Sequence, residues 1–372
     1  YGCRPDIEAA YGDKLRPMDA FKDSAPAELV DCVGHDDLMV LMFTSGTTGR
    51  SKAVMLSERN FFTTVECQVK FGDAMLDYKH EHMPEDKDDV LSNFAILPLF
   101  HLGTFICLFV WACKGWALNL SADIRDFYRD LGLMHSDAIA VAPMLMEAIY
   151  KDVKRGRRAR LNGVWNPCGS SAMFDGAMLA ELARQGMMIT QVYGMTETCG
   201  DGIINYEQDE KHIRAVGKPD DHAEYKLDET GEICIRGGCV MLGYYKDPEA
   251  TAEVLDADGW FHTGDLARVD EDGFYYITGR KKNIIILDNG ENVSPEELEN
   301  LLSKCEAVKE CIVREKGKKI CAVIYCGEAD QQTVRDFITE TNRTLPLYKR
   351  MSAVEFSTEP LPRTGTGKLL RK

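Results

Sequence analysis

Between residues 38 and 192, short apolar runs bounded by turn residues alternate with stretches whose apolar positions recur at helical spacing. Strands are predicted at 38–44, 90–97, 138–142, 161–167 and 188–192, and the alternation itself predicts a parallel sheet covered by helices. Ser57 is placed to cap a helix running through Phe71, and Pro143 suits the first turn of the helix after strand 138–142. Beyond Thr230 the pattern becomes β-rich. Leu266–Asp270 returns through Asp272-Gly273 to Phe274–Thr278 as a hairpin. Helical rhythm resumes after Pro295, where Ser294-Pro295-Glu296-Glu297 reads as a capping box with proline at the first helical position. Strands at 319–326 and 353–356 and a helix near 331–342 then form a small α+β unit.

The predicted fold is therefore α/β: a large domain of layered α/β sheets with a β-rich subdomain, residues 1–280, followed by a small C-terminal domain, 281–372. A length of 372 residues supports two domains, and 45% hydrophobic with 28% charged residues is a normal globular mixture. The net charge of −16 argues against a nucleic-acid binder, which would carry a basic face to neutralise phosphates. It also makes isolated Arg and Lys in Gly-rich settings more informative than totals. Thirteen cysteines are spread along the chain without a Cys-x-x-Cys pair, as expected for reduced thiols in the cytoplasm. The longest apolar run, Phe105–Cys113, stops at Lys114, well short of the roughly 20 residues of a membrane span. It reads as a buried core helix or as the lining of an apolar pocket. The start, Tyr1-Gly2-Cys3-Arg4-Pro5, has no initiating Met and no signal-peptide stretch, so the chain reads as part of something longer.

Local chemistry begins at Phe43-Thr44-Ser45-Gly46-Thr47-Thr48-Gly49-Arg50-Ser51-Lys52, which follows an apolar strand. Glycines let backbone N–H groups converge on an anion, and Thr44, Ser45, Thr47, Thr48 and Lys52 add donors, so the segment reads as a phosphate loop. It is not a Walker A loop, because counting from Gly46 puts Ser51 where the second glycine must stand. A polar connection between two strands is the plainer alternative.

That segment resembles the phosphate loop of the adenylate-forming superfamily, which includes acyl-CoA synthetases, luciferases and peptide-synthetase adenylation domains. Tyr193-Gly194-Met195-Thr196-Glu197 is similar to the family's nucleotide motif. The resemblance implies a tyrosine stacked on adenine, a threonine at the α-phosphate and a glutamate holding magnesium, roles that suit an aromatic face, a hydroxyl and a hard carboxylate. Gly259-Trp260-Phe261-His262-Thr263-Gly264-Asp265 resembles the motif whose aspartate accepts from both ribose hydroxyls. Arg280 matches the arginine that contacts the nucleotide, and Lys282 the hinge. Pro362-Arg363-Thr364-Gly365-Thr366-Gly367-Lys368 resembles the C-terminal loop whose lysine enters the nucleotide site, making Lys368, with Thr196 and Glu197, the implied catalytic group. Gly169-Ser170-Ser171 matches the adenine-side loop loosely, because the family more often has two glycines followed by Ala and Pro. His101, in Leu97-Pro98-Leu99-Phe100-His101-Leu102-Gly103, stands at the family's gate position or is a satisfied core histidine.

The family resemblance further implies two half-reactions. ATP, Mg²⁺ and a carboxylic acid give acyl-adenylate and pyrophosphate, then a thiol displaces AMP. Between them a mobile C-terminal domain rotates and presents the loop around Gly290 to the thiol tunnel. No acidic residue lies between Val90 and Leu120, where amino-acid-activating members keep an aspartate for the substrate ammonium, so a plain acid such as a fatty or other acyl acid is expected. Free coenzyme A is the expected acceptor. A carrier protein is the alternative acceptor, a non-catalytic nucleotide-binding fragment is the alternative of another class, and a homo-oligomer is left open. No nucleic acid and no membrane span is expected.

Overall fold

The computed structural model describes residues 34–44, 51–121, 123–170, 174–200, 202–287, 291–317, 319–363 and 369–370, the side chain of Ser170 excepted. Residue contacts set Tyr1–His35 apart from Asp36–Lys372, and all elements below belong to the second unit. The first strands are β1 (Leu38–Thr44) and β2 (Lys52–Ser57), which pair antiparallel with Thr44 opposite Lys52. The sequence pattern had assigned 38–44 to a parallel sheet. Only seven residues separate Thr44 from Lys52, whereas a parallel return needs a crossover of about a dozen or more, so a hairpin is the available connection.

Ser57 caps α1 (Glu58–His82), with its hydroxyl accepting from Asn60 N and the Asn60 side chain accepting from Ser57 N. The helix runs eleven residues beyond the predicted Phe71. Next come β3 (Ser92–Ala95), α2 (Leu102–Lys114), β4 (Ala117–Leu120), α3 (Phe127–Leu133), β5 (Ala138–Val141), α4 (Pro143–Lys154), β6 (Asn166–Ser170), α5 (Gly176–Arg184), β7 (Thr190–Gly194) and β8 (Gly202–Asn205). These strands form a six-stranded sheet in the order β4-β3-β5-β6-β7-β8, parallel except for the last pair. Helices cover it. Ile139 and Val141 on one face of β5 and Ala138 on the other are all buried, as a strand covered on both faces requires, and a large apolar side chain removed from water is worth about 1.5–3 kcal/mol. The predicted strand 161–167 lies too early. Residues Arg158–Leu161 form a 3-10 turn closed by Asn162 at φ 43°, and β6 begins only at Asn166.

The β-rich part contains β9 (Ala223–Leu227), β10 (Glu232–Gly237), β11 (Gly243–Tyr244), the short α6 (Pro248–Ala252), β12 (Phe261–Val269) and β13 (Tyr275–Arg280). Four of these strands form the sheet β13-β12-β10-β9, while β11 crosses to pair with β2. The hairpin predicted around Asp272-Gly273 joins β12 to β13, with Gly273 at φ 84°. After Arg280 follow β14 (Ile285–Ile286), β15 (Asn292–Val293), α7 (Pro295–Leu302), β16 (Glu310–Lys316), β17 (Lys319–Tyr325), α8 (Gln331–Thr344) and β18 (Ala353–Ser357). This part has its own core around Leu298, Leu302, Ile324 and Val334. The Ser294 hydroxyl accepts from Glu297 N at 3.4 Å. The Glu297 carboxylate, predicted to complete a capping box, instead pairs with Lys349 at 2.7 Å, where a full charge offers it more than a backbone N–H does. Among the described residues no helix is long and apolar enough to cross a membrane.

Candidate functional site

Residues 193–198 leave the C-terminal end of β7 and turn into a 3-10 segment, Thr196–Thr198, closed by Cys199 in the left-handed region at φ 56°. Thr198 is fully buried and ties the turn, accepting from Met195 N at 3.3 Å and donating to Met195 O at 3.2 Å. Two side-chain clusters hang from this segment, one at Tyr193 and one at Glu197.

At Tyr193 the phenol is 9% exposed and donates to Asp265 Oδ2 at 3.0 Å. Asp265 stands on β12 directly opposite Arg280 on β13, and Arg280 Nε donates to Asp265 Oδ1 at 2.6 Å. The carboxylate is 4% exposed, so these donors compensate a charge that burial alone would penalise heavily. Burial, and then the charge of Asp265, push the Tyr193 hydroxyl well above its ordinary range, so it remains a donor. The chain reaches Asp265 through Gly264 at φ 72°, a conformation that favours glycine, with Gly264 N donating to Glu232 Oε1 at 2.7 Å. The two Asp265 oxygens thus face different partners, Oδ2 the Tyr193 phenol and Oδ1 the Arg280 guanidinium.

At Glu197, Oε1 accepts from the hydroxyl of Tyr244 at 2.9 Å, and the Glu197 carbonyl accepts from Met241 N at 2.9 Å. Tyr244 lies on β11 opposite Val54 of β2 and is 6% exposed. The ammonium of Lys52, two residues before Val54, sits 4.4 Å from the Tyr244 ring centroid. Such cation–π contacts contribute about 0.5–2 kcal/mol. Burial and the Glu197 charge raise the Tyr244 hydroxyl far beyond neutral pH, so it too is held as a donor. Glu197, a hard carboxylate with lone pairs remaining, has the chemistry to hold a divalent cation.

Among the sequence-predicted residues, the structure therefore brings Tyr193, Asp265 and Arg280 into one cluster. It brings Glu197 and Lys52 together through Tyr244, a residue the sequence reading did not single out. Thr44 faces Lys52 across the ladder, and Ser51 Oγ donates to Thr44 O at 2.6 Å. Thr196 is half-buried at the start of its turn, and Gly194 pairs with Gly202. Gly169 ends in a tight space: a Cβ there would stand 2.4 Å from the Phe174 ring. His101 is exposed at the N-terminus of α2, 4.9 Å from the Phe100 ring, so it is not a buried core histidine. Lys282 is exposed on the 3-10 turn after β13. Ser45, Gly46, Thr47, Thr48, Ser171, Gly290 and Lys368, and the side chain of Ser170, lie outside the described residues.

The chain belongs to the AMP-binding enzyme family: residues 6–245 match the family profile described as AMP-binding enzyme, and residues 297–368 match the AMP-binding enzyme C-terminal domain. It is 30% identical over 390 residues to 4-coumarate–CoA ligase 3 of Oryza sativa subsp. japonica, covering 95% of this chain and 66% of that protein. It is 31% identical over 356 residues to a long-chain-fatty-acid–CoA ligase of Salmonella typhimurium, covering 91% of this chain and 61% of that one. Among solved structures it resembles O-succinylbenzoate coenzyme A synthetase from Bacillus subtilis in complex with ATP and magnesium ion. The TM-score is 0.75 and the identity 25%, over 95% of this chain and 73% of that one. The chain thus spans just under two thirds of the length of the curated relatives named here.

Proposed function

We propose that this chain carries the nucleotide site of an AMP-forming acid–thiol ligase, which joins a carboxylic acid to AMP from ATP and passes the acyl group to coenzyme A. The observation that carries the reading is the buried Asp265 carboxylate, held by Tyr193 and Arg280 on the segment that also presents Glu197. In this reading Asp265 accepts from the ribose hydroxyls, Tyr193 borders the adenine, and Gly169, Ser170 and Ser171 line its other side. Thr44 to Thr48 and Lys52 take the β- and γ-phosphates, with Thr196 at the α-phosphate. Bound at Glu197, Mg²⁺ would offset phosphate charge during displacement of pyrophosphate. Residues 281–372 act as a separate domain that turns at Lys282, bringing in Lys368 for the first step and the Gly290 loop for the second. His101 gates the acid. The printed names of relatives span aromatic and long-chain acids, and the stretch Val90–Leu120 offers no carboxylate to an ammonium. We therefore assign a plain carboxylic acid, fatty or aryl.

Pyrophosphate exchange into ATP should appear only when such an acid is supplied, and a panel of acids in that assay tests the reading. No exchange with any acid, alongside measurable ATP binding, would sink it. Tyr244→Phe tests the cation site: it keeps the ring under Lys52 but removes the hydrogen bond that orients Glu197. Bonds to charged groups are worth about 1.5–3 kcal/mol, so the Mg²⁺ concentration giving half-maximal exchange should rise about tenfold, with the maximal rate far less affected. An unchanged Mg²⁺ dependence would remove Tyr244 from the site.

A further inference from the structure

Three residues before Asp265 on the same strand, a second polar cluster begins at His262, beside the nucleotide site. Cys234 and Glu232 on β10, His262 on β12 and Asp228 in the turn before β10 converge there. The Cys234 thiol stands 3.5 Å from His262 Nδ1, which in turn stands 3.4 Å from Glu232 Oε2. The ligand atoms of Asp228, Cys234 and His262 all lie within 4.8 Å of one another. A tetrahedral zinc ion with bonds of about 2.0–2.3 Å has edges between ligand atoms of about 3.3–3.7 Å, so the two short separations already match.

Neighbouring groups position these side chains. The second ring nitrogen, His262 Nε2, faces Asp256 Oδ2 at 3.6 Å, the carboxylate–histidine arrangement that fixes a ligating imidazole. Glu232 Oε1 is held by Gly264 N at 2.7 Å. Asp228 Oδ1 is held by Thr230 N at 2.8 Å, Thr230 Oγ1 at 2.7 Å and Glu232 N at 2.8 Å. Those bonds turn Glu232 Oε2 and Asp228 Oδ2 toward the same space. A cation already stands there: Lys281 Nζ is 2.7 Å from Glu232 Oε2 and 3.6 Å from Asp228 Oδ2. A cavity of about 480 Å³, lined by Glu232, Asp256, His262 and Lys281 among others, gives access from solvent.

We infer that Cys234, His262 and Asp228, with Glu232 beside His262, form a binding site for a borderline-soft divalent cation of the zinc class, which displaces the ammonium of Lys281 on entering. The mixed sulfur, nitrogen and oxygen set suits zinc over magnesium or calcium, which take oxygen ligands alone. Burial and the neighbouring carboxylates push the Cys234 thiol up to about 11, so capture of the metal includes loss of that proton. Lys281 follows Arg280 directly in the chain, so an ion here would release the residue next to the nucleotide cluster from its two carboxylate partners.

The test needs no turnover, and its failure is therefore separable from failure of the ligase reading. Co²⁺ is titrated into the protein and followed by its thiolate charge-transfer and tetrahedral visible bands, with Zn²⁺ as competitor. One equivalent with those bands, displaced by Zn²⁺ and lost in Cys234→Ser, is the expected result. Asp256→Asn should weaken binding about tenfold through the histidine. Lys281→Gln should tighten it by removing the competing ammonium, and because Lys281 is exposed this variant remains informative should Cys234→Ser fail to fold. A second thiol–imidazole–carboxylate group, Cys67, Asp220 and His222, is the internal control. The inference is overturned by the absence of a stoichiometric thiolate band, by a band lost in Cys67→Ser and retained in Cys234→Ser, or by unchanged affinity in Lys281→Gln.

Discussion

Asp265→Ala is expected to weaken ATP binding on the order of a hundredfold and to erase the protein's preference for ATP over 2′-deoxy-ATP. The magnitude follows from the two charge-assisted hydrogen bonds proposed from Asp265 to the ribose, each worth about 1.5–3 kcal/mol when a carboxylate is the acceptor, reduced because a truncated site admits water. The second expectation is the sharper one. A carboxylate that reads the 2′-hydroxyl makes the wild type sensitive to its loss, and the variant has nothing left to lose there, so the two changes should be non-additive. Some loss of stability accompanies the substitution, because the buried Tyr193 hydroxyl loses its acceptor, a cost of about 1–3 kcal/mol. Arg280, with 41% of its side chain exposed, can turn to water and adds little. Asp265→Asn separates the two effects, since it keeps an acceptor oxygen for Tyr193 while removing the charge. Equilibrium binding of both nucleotides to the three proteins, with thermal melting as the stability control, makes the comparison. A variant that still discriminates between the nucleotides as well as wild type would exclude Asp265 as the ribose ligand.

The residues of that cluster were legible in the sequence because Tyr193, Asp265 and Arg280 sit within short motifs whose residue types state their chemistry. Their mutual contact was not. Asp265 and Arg280 meet because the β12–β13 hairpin closes at Asp272-Gly273, which local turn chemistry predicts. Tyr193 reaches Asp265 across 72 residues, and nothing local encodes that. Tyr244 shows the limit more clearly. Gly243-Tyr244 reads as an ordinary turn, and only its pairing with β2 sets the ring beneath Lys52 and the hydroxyl against Glu197. The parallel assignment of 38–44 failed for a related reason: an apolar run specifies a buried strand but not its partner, and the short return to Lys52 decided the direction. Strands β4 and β16 were missed because each has a glycine turn at one end only, Gly115 before β4 and Gly317 after β16. The helix α1 overran its predicted end because tertiary burial of Gly72, Met75 and Lys79 outweighs the polar sequence there.

Glu232 is one buried acid that links the two clusters. Its Oε1 fixes Gly264 N, and so the backbone that aims Asp265. Its Oε2 anchors Lys281 and faces His262. A change at the proposed metal cluster would thereby be coupled through one side chain to the geometry of Asp265, the proposed ribose ligand. No long-range pathway is needed, because the two carboxylate oxygens are part of one rigid group.

Lys368→Ala is expected to lower acyl-adenylate formation by on the order of 10²–10³ while leaving thioester formation from supplied acyl-adenylate within about threefold, the size of effect seen when one donor to a developing charge is removed. The asymmetry follows from where charge develops. In the proposed first half-reaction the carboxylate attacks the α-phosphorus, negative charge grows on the transferring phosphoryl oxygens, and the charge of Lys368 would offset it. In the second, a thiol attacks the acyl carbon and AMP leaves, a step the proposed domain rotation carries out with that lysine withdrawn. Lys282→Pro supplies the complementary case. Proline at this proposed hinge fixes φ and restricts the turn, so adenylation should persist while thioester formation falls. Measured together, pyrophosphate exchange and thioester formation from supplied adenylate should be impaired in opposite order in the two variants. Equal loss of both half-reactions in Lys368→Ala would remove the lysine from the adenylation step and assign it a role in holding the fold or binding the nucleotide throughout.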